Sequence, residues 1–338
     1  MAFFGITIEK IGRVWKHPKA EKLELAACAG LGFQFCVAKD KYQIGQEVLY
    51  FPVDTILPEE YKEKMGLRAP GRIKTIQLRG EYSQGFVFPL EEAEKIFNCA
   101  FKDLPIEELT LFFHATKYEP AQKFVAAGEL LPLPEGQGVY DIENIDRYLD
   151  VWTDLLDKDC VVLEKIEGTN ISIGKKAGEA YVCQRANLIK EKPGLTNAYW
   201  ETARESKLLD KIQRIADEEV IFMGEMIGPS IQSNIYKISE RKILVFDIRI
   251  SGRWQDYKSF KKICQDLDIE TVPEIAIGRL RDVLNGKNVE AYADGFSKLF
   301  NTLREGIVVR PLAEEFHPKL RRVILKKHSL RYQSQSTD

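Results

Sequence analysis

The stretch Leu163-Glu164-Lys165-Ile166-Glu167-Gly168-Thr169-Asn170 places a lysine at the end of an apolar run that begins at Val161. If this run is a β-strand, Lys165 and Glu167 point to the same side, because side chains alternate along a strand. Gly168 then lets the chain turn sharply, or lets a ligand approach the backbone. The stretch therefore predicts a strand that ends in a lysine, followed by a carboxylate and a tight turn.

This lysine has two interpretations, a surface Lys/Glu pair on a hairpin or a nucleophile. A nucleophilic amine must be neutral, whereas the pKa of a free lysine is about 10.4. Neutralising it near pH 7 costs roughly 4–5 kcal/mol, which burial or a nearby metal cation can supply. The nucleophile interpretation therefore predicts an enclosed amine or a divalent cation beside it.

The composition is that of an ordinary globular protein with two domains, or three. The chain has 338 residues, of which 44% are hydrophobic and 30% are charged. Length and composition of this kind allow a sizeable core. The net charge of −2 predicts no protein-wide positive field. A nucleic acid would therefore have to bind through a local basic patch.

The cysteines and the apolar runs indicate the cellular compartment in which the protein is expected. Six scattered cysteines without a CxxC pair argue against a disulfide scaffold, and with only four histidines they argue against a zinc site. We therefore expect an intracellular, cytoplasmic protein. No apolar run reaches the roughly 18 residues of a membrane span, and Glu9 and Lys10 come too early for a signal peptide.

Residues 1–100 are predicted to form a small β-barrel that binds nucleic acid. Short alternating segments separated by turn residues favour such a barrel over a helical domain. These segments are 6–8, 33–38, 48–52, 72–80 and 86–89. Basic side chains on one barrel face would suit phosphate contacts, although a solvated strand face is often charged without binding anything.

Residues 101–155 are predicted to be a linker with helices, and residues 156–338 a second domain. Helices are expected at 91–97 and 141–156, and the Pro/Gly-rich segments 116–120 and 130–138 read as linker. In the second domain, longer strands are separated by two helical segments, near 197–218 and 256–268.

Five strand-like segments follow the lysine stretch in the second domain. They are 182–187, 220–228, 243–249, 304–311 and 321–327. Each segment alone is more typical of a buried strand than of a catalytic part. In this order, however, they resemble the motifs of the covalent nucleotidyltransferase superfamily, which comprises polynucleotide ligases and mRNA capping enzymes. The resemblance implies an α+β fold, in which a nucleotidyltransferase domain of antiparallel sheets with flanking helices follows the OB-like barrel.

Several features resemble the ATP-dependent RNA ligases that act on nicked duplexes with an RNA 3′-OH. Asn170 stands where DNA ligases and capping enzymes usually carry arginine, and only residues 327–338 follow Lys326, where those enzymes place an OB domain. The segment 17–26 is similar to the start of OB-fold modules, and 74–85 is similar to the N-terminal module of this RNA-ligase group. One departure is His328, where some relatives carry a second lysine that Lys327 would have to replace.

The resemblance implies roles for individual residues. Lys165 would attack ATP to form a lysyl-AMP intermediate, with Glu305 and Lys326 as the other catalytic residues. Glu167 and Glu305 would hold Mg²⁺ or Mn²⁺ through water. The expected ATP contacts are Glu164, Lys165, Ile166, Asn170, Arg185, Glu225, Phe246, Lys326 and Lys327. RNA, or an RNA-containing nicked duplex, would be the partner, with Lys319, Arg321 and Arg322 tracking its phosphates.

Three alternatives remain open from the sequence. The chain could be a capping guanylyltransferase that uses GTP, a DNA ligase, or a nucleic-acid-binding protein whose second domain is inactive. NAD⁺ is a less favoured donor, because the first ninety-odd residues read as β-rich and not as a helical nicotinamide-binding module.

Overall fold

The computed structural model describes residues 3–119, 129–192, 194–195 and 197–335. The predicted linker segment 116–120 therefore ends outside the described residues, at Pro120. The described chain forms two compact units. The N-terminal unit contains residues 3–119, 144–152 and 333–335, and the C-terminal unit contains residues 129–143 and 153–332. The domain boundaries expected at residues 100 and 155 remain a proposal.

The N-terminal unit is mainly a curved antiparallel sheet. The elements from residue 7 to residue 117 are β1 (Thr7–Lys16), β2 (Leu23–Cys28), β3 (Gln34–Ala38), β4 (Glu47–Phe51), β5 (Thr55–Ile56), α1 (Glu59–Lys64), β6 (Thr75–Leu78), β7 (Glu81–Gln84), β8 (Phe86–Pro89), α2 (Leu90–Phe97), α3 (Ile106–Phe112) and β9 (Thr116–Lys117). The strand order in the sheet is β3-β2-β1-β4-β8. The predicted helix at 91–97 is confirmed as α2.

Strand β1 pairs with two neighbours in turn and so curves the sheet. Residues 7–10 pair with β4, residues 11–16 pair with β2, and the register slips next to Gly12. A Cβ atom on Gly12 would lie 2.9 Å from the backbone of Ala29, so only glycine fits at this bend. A strand shared between two partners through an irregularity is how small barrels turn their corners.

The buried ring of His17 gives the His-Pro segment at the start of the OB-like pattern a structural role. This ring is fully buried. The backbone N–H of Lys19 donates to His17 Nδ1 at 3.1 Å, and His17 Nε2 lies 3.1 Å from the carbonyl oxygen of Leu78. With Nδ1 accepting, Nε2 carries the proton and donates to that carbonyl. The imidazole therefore joins the end of β1 to the β6–β7 hairpin.

The middle of the chain differs from the sequence prediction in two places. The next elements are β10 (Glu129–Pro132), β11 (Glu143–Asn144), a 3₁₀ turn (Ile145–Arg147) and α4 (Leu149–Leu155). The predicted linker at 130–138 thus begins with a strand, which tolerates Pro132 because β10 is the edge of its sheet. The predicted helix at 141–156 is wrong in its first half, because residues 143–144 are extended and pair in a sheet.

The C-terminal unit is built from two large antiparallel sheets with short helices around them. The elements are β12 (Asp159–Lys165), β13 (Thr169–Lys176), β14 (Glu179–Gln184), β15 (Asn187–Lys190), α5 (Ala198–Glu205), α6 (Leu208–Gln213), β16 (Glu219–Ile227), β17 (Lys242–Ile250), β18 (Arg253–Trp254), α7 (Tyr257–Asp266), β19 (Glu274–Arg279), α8 (Leu280–Leu284), α9 (Val289–Ala293), β20 (Gly306–Pro311), β21 (Phe316–His317), β22 (Arg321–Arg322), β23 (Leu325–His328) and α10 (Leu330–Gln335). Helix α10, at the end of this unit, continues into the N-terminal unit.

The two sheets share one hydrophobic core. The larger sheet has the order β10-β15-β14-β13-β16-β17-β18, and the smaller has the order β11-β23-β20-β12-β19. Side chains from both sheets and from α5 and α7 contribute to this core, among them Leu163, Phe222 and Phe260. The expected α+β architecture of antiparallel sheets with flanking helices, after an OB-like barrel, is confirmed.

The helical segment expected near 197–218 is two helices. Lys207 adopts a left-handed conformation with φ 56°, which ends α5 and starts a new direction for α6. The segment expected near 256–268 is confirmed as α7, whose first turn is capped by the Asp256 carboxylate accepting from the Ser259 N–H at 2.7 Å. None of the helices in the described part of the chain is long and apolar enough to cross a membrane.

Candidate active site

Lys165 is the last residue of β12 and lies beside a carboxylate. In the antiparallel pair of β12 with β20, Lys165 is opposite Gly306, so the residue just before β20 lies next to the lysine side chain. The Nζ atom of Lys165 is 2.5 Å from Oε1 of Glu305, and the two side chains are only 22% and 18% exposed. The lysine is therefore part of an enclosed ion pair and not a surface Lys/Glu pair.

Glu225 adds a second carboxylate to this enclosed space. It lies on β16 opposite Asn170 of β13 and is half-buried. Burial raises the pKa of Glu225 to about 8, while the charge of Lys165 lowers this pKa and the charge of Glu305 raises it further. The fold therefore places Lys165, Glu225 and Glu305, which are far apart in sequence, close enough to influence one another electrostatically. A carboxyl with this pKa can donate as well as accept a hydrogen bond near neutral pH.

Gly168 allows the turn after β12 to lie directly against β16. A Cβ atom at this position would come within 2.6 Å of the carbonyl oxygen of Met226 and 2.7 Å of Cγ of Glu225. Backbone and a functional side chain would both have to move, since real Cβ atoms do not approach this closely. The glycine is thus required by packing beside Glu225.

The Gly168→Ala variant is expected to be destabilised and to have lower activity. Overpacking of this kind costs typically 1–3 kcal/mol, and the movement of Glu225 would disturb the site as well. Thermal unfolding and ATP-dependent labelling of the protein measure the two effects. Gly138→Ala is the matched control, because a Cβ atom there meets no atom within 4 Å. Equal melting temperatures for the two variants would contradict the packing argument.

Glu167 is held by three hydrogen bonds that strand alternation does not predict. Strand β12 ends at Lys165, so strand alternation does not determine on which side Glu167 lies. Its Oε1 accepts from the backbone N–H of Ser233 at 3.0 Å, and its Oε2 accepts from the hydroxyl of Tyr332. Its own N–H donates to the hydroxyl of Tyr236 at 2.7 Å. Burial and the nearby carboxylates of Glu305 and Glu167 raise the pKa of Tyr332, which keeps its hydroxyl a donor.

Alternation along β23 separates the three basic residues at its end. Lys326 and His328 share one face, and His328 Nε2 lies 3.9 Å from Glu305 Oε1. Lys327 is on the other face, 1% exposed, with Nζ 2.9 Å from Oε1 of Glu290. Lys326 thus lies on the face of the sheet that carries the site, whereas Lys327 does not join Lys165.

Glu164 and Ile166 flank the lysine but are both buried. Glu164 is 2% exposed, and its Oε2 accepts from the backbone N–H of Lys298 at 2.8 Å. Burial raises the pKa of Glu164, and hydrogen bonds from the Ser297 hydroxyl and the Lys298 amide lower it. Ile166 is part of the hydrophobic core. Any ATP contact of these two residues would therefore have to come from their backbone.

Phe246 is the extra residue of a β-bulge beside Glu225. In the pairing of β16 with β17, Met223 faces Asp247 and Gly224 faces Val245, which leaves Phe246 unpaired and half-buried. A bulge of this kind redirects a side chain and is common next to active sites. In the sequence, Phe246 was assigned from the family resemblance and not from a local pattern.

Tyr140 packs against Phe246 and was not predicted. The two ring centroids are 5.0 Å apart at an angle of 51°, and the hydroxyl of Tyr140 donates to Oδ2 of Asp247 at 2.8 Å. Asp247 is fully buried and also accepts from Arg310 at 3.2 Å and from Arg322 at 2.7 Å. This hydrogen-bond network holds the bulge in place. The only sequence signal for the network was an aromatic residue, Tyr140, within a predicted linker.

Two of the three remaining candidate arginines, Arg185 and Arg322, are paired with carboxylates. Arg185 follows β14 and donates to Oδ1 of Asp141 at 2.8 Å. Arg322, expected to track phosphates, also donates to both oxygens of Glu314 and stacks 4.0 Å above the ring of Trp254. Its side chain is only 12% exposed, so Arg322 braces the sheet and does not face solvent.

The carboxylates around Lys165 fit a hard divalent cation that is bound through water. Glu305 and Glu167 offer oxygen ligands, which Mg²⁺ and Mn²⁺ prefer. Across the described residues, no group of three or more His, Cys, Asp or Glu side chains is arranged to hold an ion directly. Both oxygens of Glu167 accept hydrogen bonds from the protein. This donor set suits a cation that keeps most of its water.

A lysine enclosed by carboxylates at the end of an interior strand, in a two-sheet unit that follows an OB-type barrel in the sequence, defines a nucleotidyltransferase-type ligase architecture. The chain belongs to the RNA ligase family, whose family model matches residues 158–328. A model of an OB-fold domain matches residues 5–90. A comparison with curated proteins found no match.

Solved structures of an RNA ligase from Naegleria gruberi have the same fold along the whole chain. A mutant with AMP and manganese is 22% identical, with 98% of this chain and 99% of that chain covered and a TM-score of 0.83. A mutant with ATP and manganese is 23% identical, with 98% and 99% covered and a TM-score of 0.82. A complex with PPi is 23% identical, with 97% of each chain covered and a TM-score of 0.81.

Proposed function

We propose that this chain is an ATP-dependent RNA ligase that joins an RNA 3′-OH to a 5′-phosphate at nicks in a duplex, through a covalent lysyl-AMP intermediate. The observation that carries the proposal is the enclosed amine of Lys165, 2.5 Å from Glu305 and electrostatically coupled to Glu225. The ATP and the manganese in the Naegleria ligase structures support the same donor and metal for this chain.

In the first step, Nζ of Lys165 would attack the α-phosphorus of ATP. A P–N bond forms, the P–O bond to pyrophosphate breaks, and the proton of the amine goes to an adjacent carboxylate, for which Glu305 Oε1 is the nearest acceptor. The covalent intermediate divides one difficult condensation into easier displacements. A bound Mg²⁺ or Mn²⁺ near Glu305 and Glu167 would favour the neutral amine and offset phosphate charge.

The remaining site residues would bind and orient the nucleotide. Glu225 would hydrogen-bond the ribose hydroxyls, Phe246 would stack on adenine, and Lys326 would stabilise the charge of the α-phosphate. Asn170 lies opposite Glu225 and would contact the same nucleotide. Arg185 would contact the ribose or a phosphate only after exchanging its pairing with Asp141. Lys327 has no part in this proposal, because its amine pairs with Glu290.

The second and third steps would transfer AMP to RNA and then displace it. An oxygen of the RNA 5′-phosphate attacks the phosphorus of lysyl-AMP, the P–N bond breaks, and Lys165 regains its amine. The RNA 3′-OH then attacks the activated 5′-phosphate, forms the phosphodiester and releases AMP. RNA, or a duplex that contains RNA, is therefore the proposed partner.

Sealing of a panel of nicked duplexes tests this function. The duplexes carry RNA or DNA on each side of the nick, and the products are resolved on denaturing gels. We expect ATP-dependent sealing where the 3′-OH is on RNA, and none without a 5′-phosphate. A protein that binds these duplexes but neither seals them nor acquires label from α-labelled ATP would instead be a nucleic-acid-binding protein.

A further inference from the structure

Two loops of the C-terminal unit, residues 228–241 and 294–304, are anchored on the nucleophile stretch. Glu167 accepts a hydrogen bond from a backbone N–H of the first loop at 3.0 Å. Glu164 accepts one from a backbone N–H of the second loop at 2.8 Å. These two carboxylates lie on either side of Lys165 in sequence, although Glu164 projects from the opposite face of β12 because side chains alternate along a strand. The second loop also ends at Arg304, directly before Glu305, whose Oε1 lies 2.5 Å from Nζ of Lys165.

The second loop has a defined shape of its own. The N–H of Arg304 donates to the carbonyl of Gly295 at 3.0 Å, and the N–H of Ser297 donates to the carbonyl of Thr302 at 2.8 Å. The guanidinium of Arg304 is buried and donates to the carbonyl of Ala293 at 2.9 Å. The conformation of the loop is therefore set by internal hydrogen bonds before any ligand binds.

This fixed loop exposes two phenylalanines next to two lysines. Phe296 is 60% exposed and Phe300 is 37% exposed. Nζ of Lys237, on the first loop, lies 5.4 Å from the ring centroid of Phe300, and Lys237 and Lys298 are both exposed. Two exposed rings four residues apart on one loop favour an interaction site more than isolated exposed apolar residues do. Aromatic faces beside lysines are the chemistry of surfaces that bind single-stranded nucleic acid.

We propose that these four side chains, named here the aromatic rim (Lys237, Phe296, Lys298 and Phe300), bind the RNA strand beside the end that reacts. Bases would stack on the two rings, and the two lysines would neutralise phosphates. The two lysines favour a polyanionic ligand over an apolar protein partner. The hydrogen bonds accepted by Glu164 and Glu167 attach the two loops that carry the rim to the nucleophile stretch. This inference rests on the proposed function, because it gives the RNA of that reaction a binding surface.

The test is a double variant, Phe296→Ala with Phe300→Ala. Binding of a fluorescent nicked RNA duplex, followed by anisotropy, is expected to weaken by about fivefold or more for each base that loses its stacking partner. Sealing should fall in parallel at subsaturating RNA. Self-adenylylation with α-labelled ATP, which needs no RNA, should stay within about twofold of the wild type. Phe300→Trp should keep binding, because a larger ring still stacks.

Two controls sharpen the result. Ile277→Ala removes an apolar side chain that is 47% exposed on β19, outside both loops, and should change nothing. Lys237→Ala with Lys298→Ala should lower the slope of log affinity against log salt by about 0.7–0.9 per lost phosphate contact, whereas Lys176→Ala on β13 should not.

Three outcomes are distinguishable. Wild-type binding and sealing by the double phenylalanine variant would overturn the rim proposal. Loss of self-adenylylation in that variant would also overturn it, because the loop would then support the nucleotide site. A wild-type protein that neither self-adenylylates nor seals would instead refute the proposed function.

Discussion

Lys165→Ala is expected to abolish labelling of the protein by α-labelled ATP. Lys165 is the proposed acceptor of the adenylyl group, so we expect the rate of labelling to fall by about a thousandfold or more, as for other enzymes that lose a nucleophile. The measurement is incubation with α-labelled ATP and a divalent metal, followed by denaturing gel electrophoresis. Sealing of nicks with an unmodified 5′-phosphate should be lost together with the labelling.

Two controls separate loss of the nucleophile from loss of the fold. Lys176→Ala removes an exposed lysine from β13 and should label normally. A duplex whose 5′-phosphate already carries AMP bypasses the first step, so Lys165→Ala should still seal it. Persistent labelling of Lys165→Ala would show that the adenylyl group is on another residue and would overturn the proposed mechanism.

Glu305→Ala is expected to fail at the same step, with a loss of about a hundredfold or more in the rate of self-adenylylation. Its carboxylate is 2.5 Å from Nζ of Lys165, so its removal takes away the nearest proton acceptor of the amine. It also removes one of the two proposed oxygen ligands for the metal. The rate of labelling, measured across a titration of Mn²⁺, checks the prediction.

The shape of that titration distinguishes the two roles of Glu305. If Glu305 helps to hold the cation, Glu305→Asp should need more Mn²⁺ and recover part of its rate at saturation. Glu179→Ala, an exposed glutamate at the start of β14, is the control and should behave as the wild type does. Normal self-adenylylation by Glu305→Ala would mean that the metal assignment is wrong.

Strand alternation explains much of what the sequence could predict about the site. An apolar run that ends in a charged residue predicts a buried strand with its last side chain at the edge of the core, and β12 ends at Lys165 as expected. Alternation also implies that only one of Lys326 and Lys327 can share a face with the site. It does not say which one, because the choice depends on the pairing of β23 with β20.

Apolar periodicity could not predict the positions of side chains outside regular strand pairing. Glu167 follows the end of β12, and its position is set by Ser233 and Tyr332, which lie 66 and 165 residues away in sequence. Tyr140 was missed because it lies in a segment read as linker. Phe246 was assigned from the family resemblance, and the bulge that redirects it arises from a register shift between two strands.

The sequence by itself determined where most strands and helices lie, because apolar periodicity and turn residues act over a few neighbours. The antiparallel sheets of the second domain and the role of Lys165 were predicted from the family resemblance of its motifs. Only the tertiary structure decided which charges meet. It brings Glu305 to Lys165, Glu225 near both, and Lys327 away from them. These contacts depend on strand register and on loops far apart in sequence, and no local pattern encodes them.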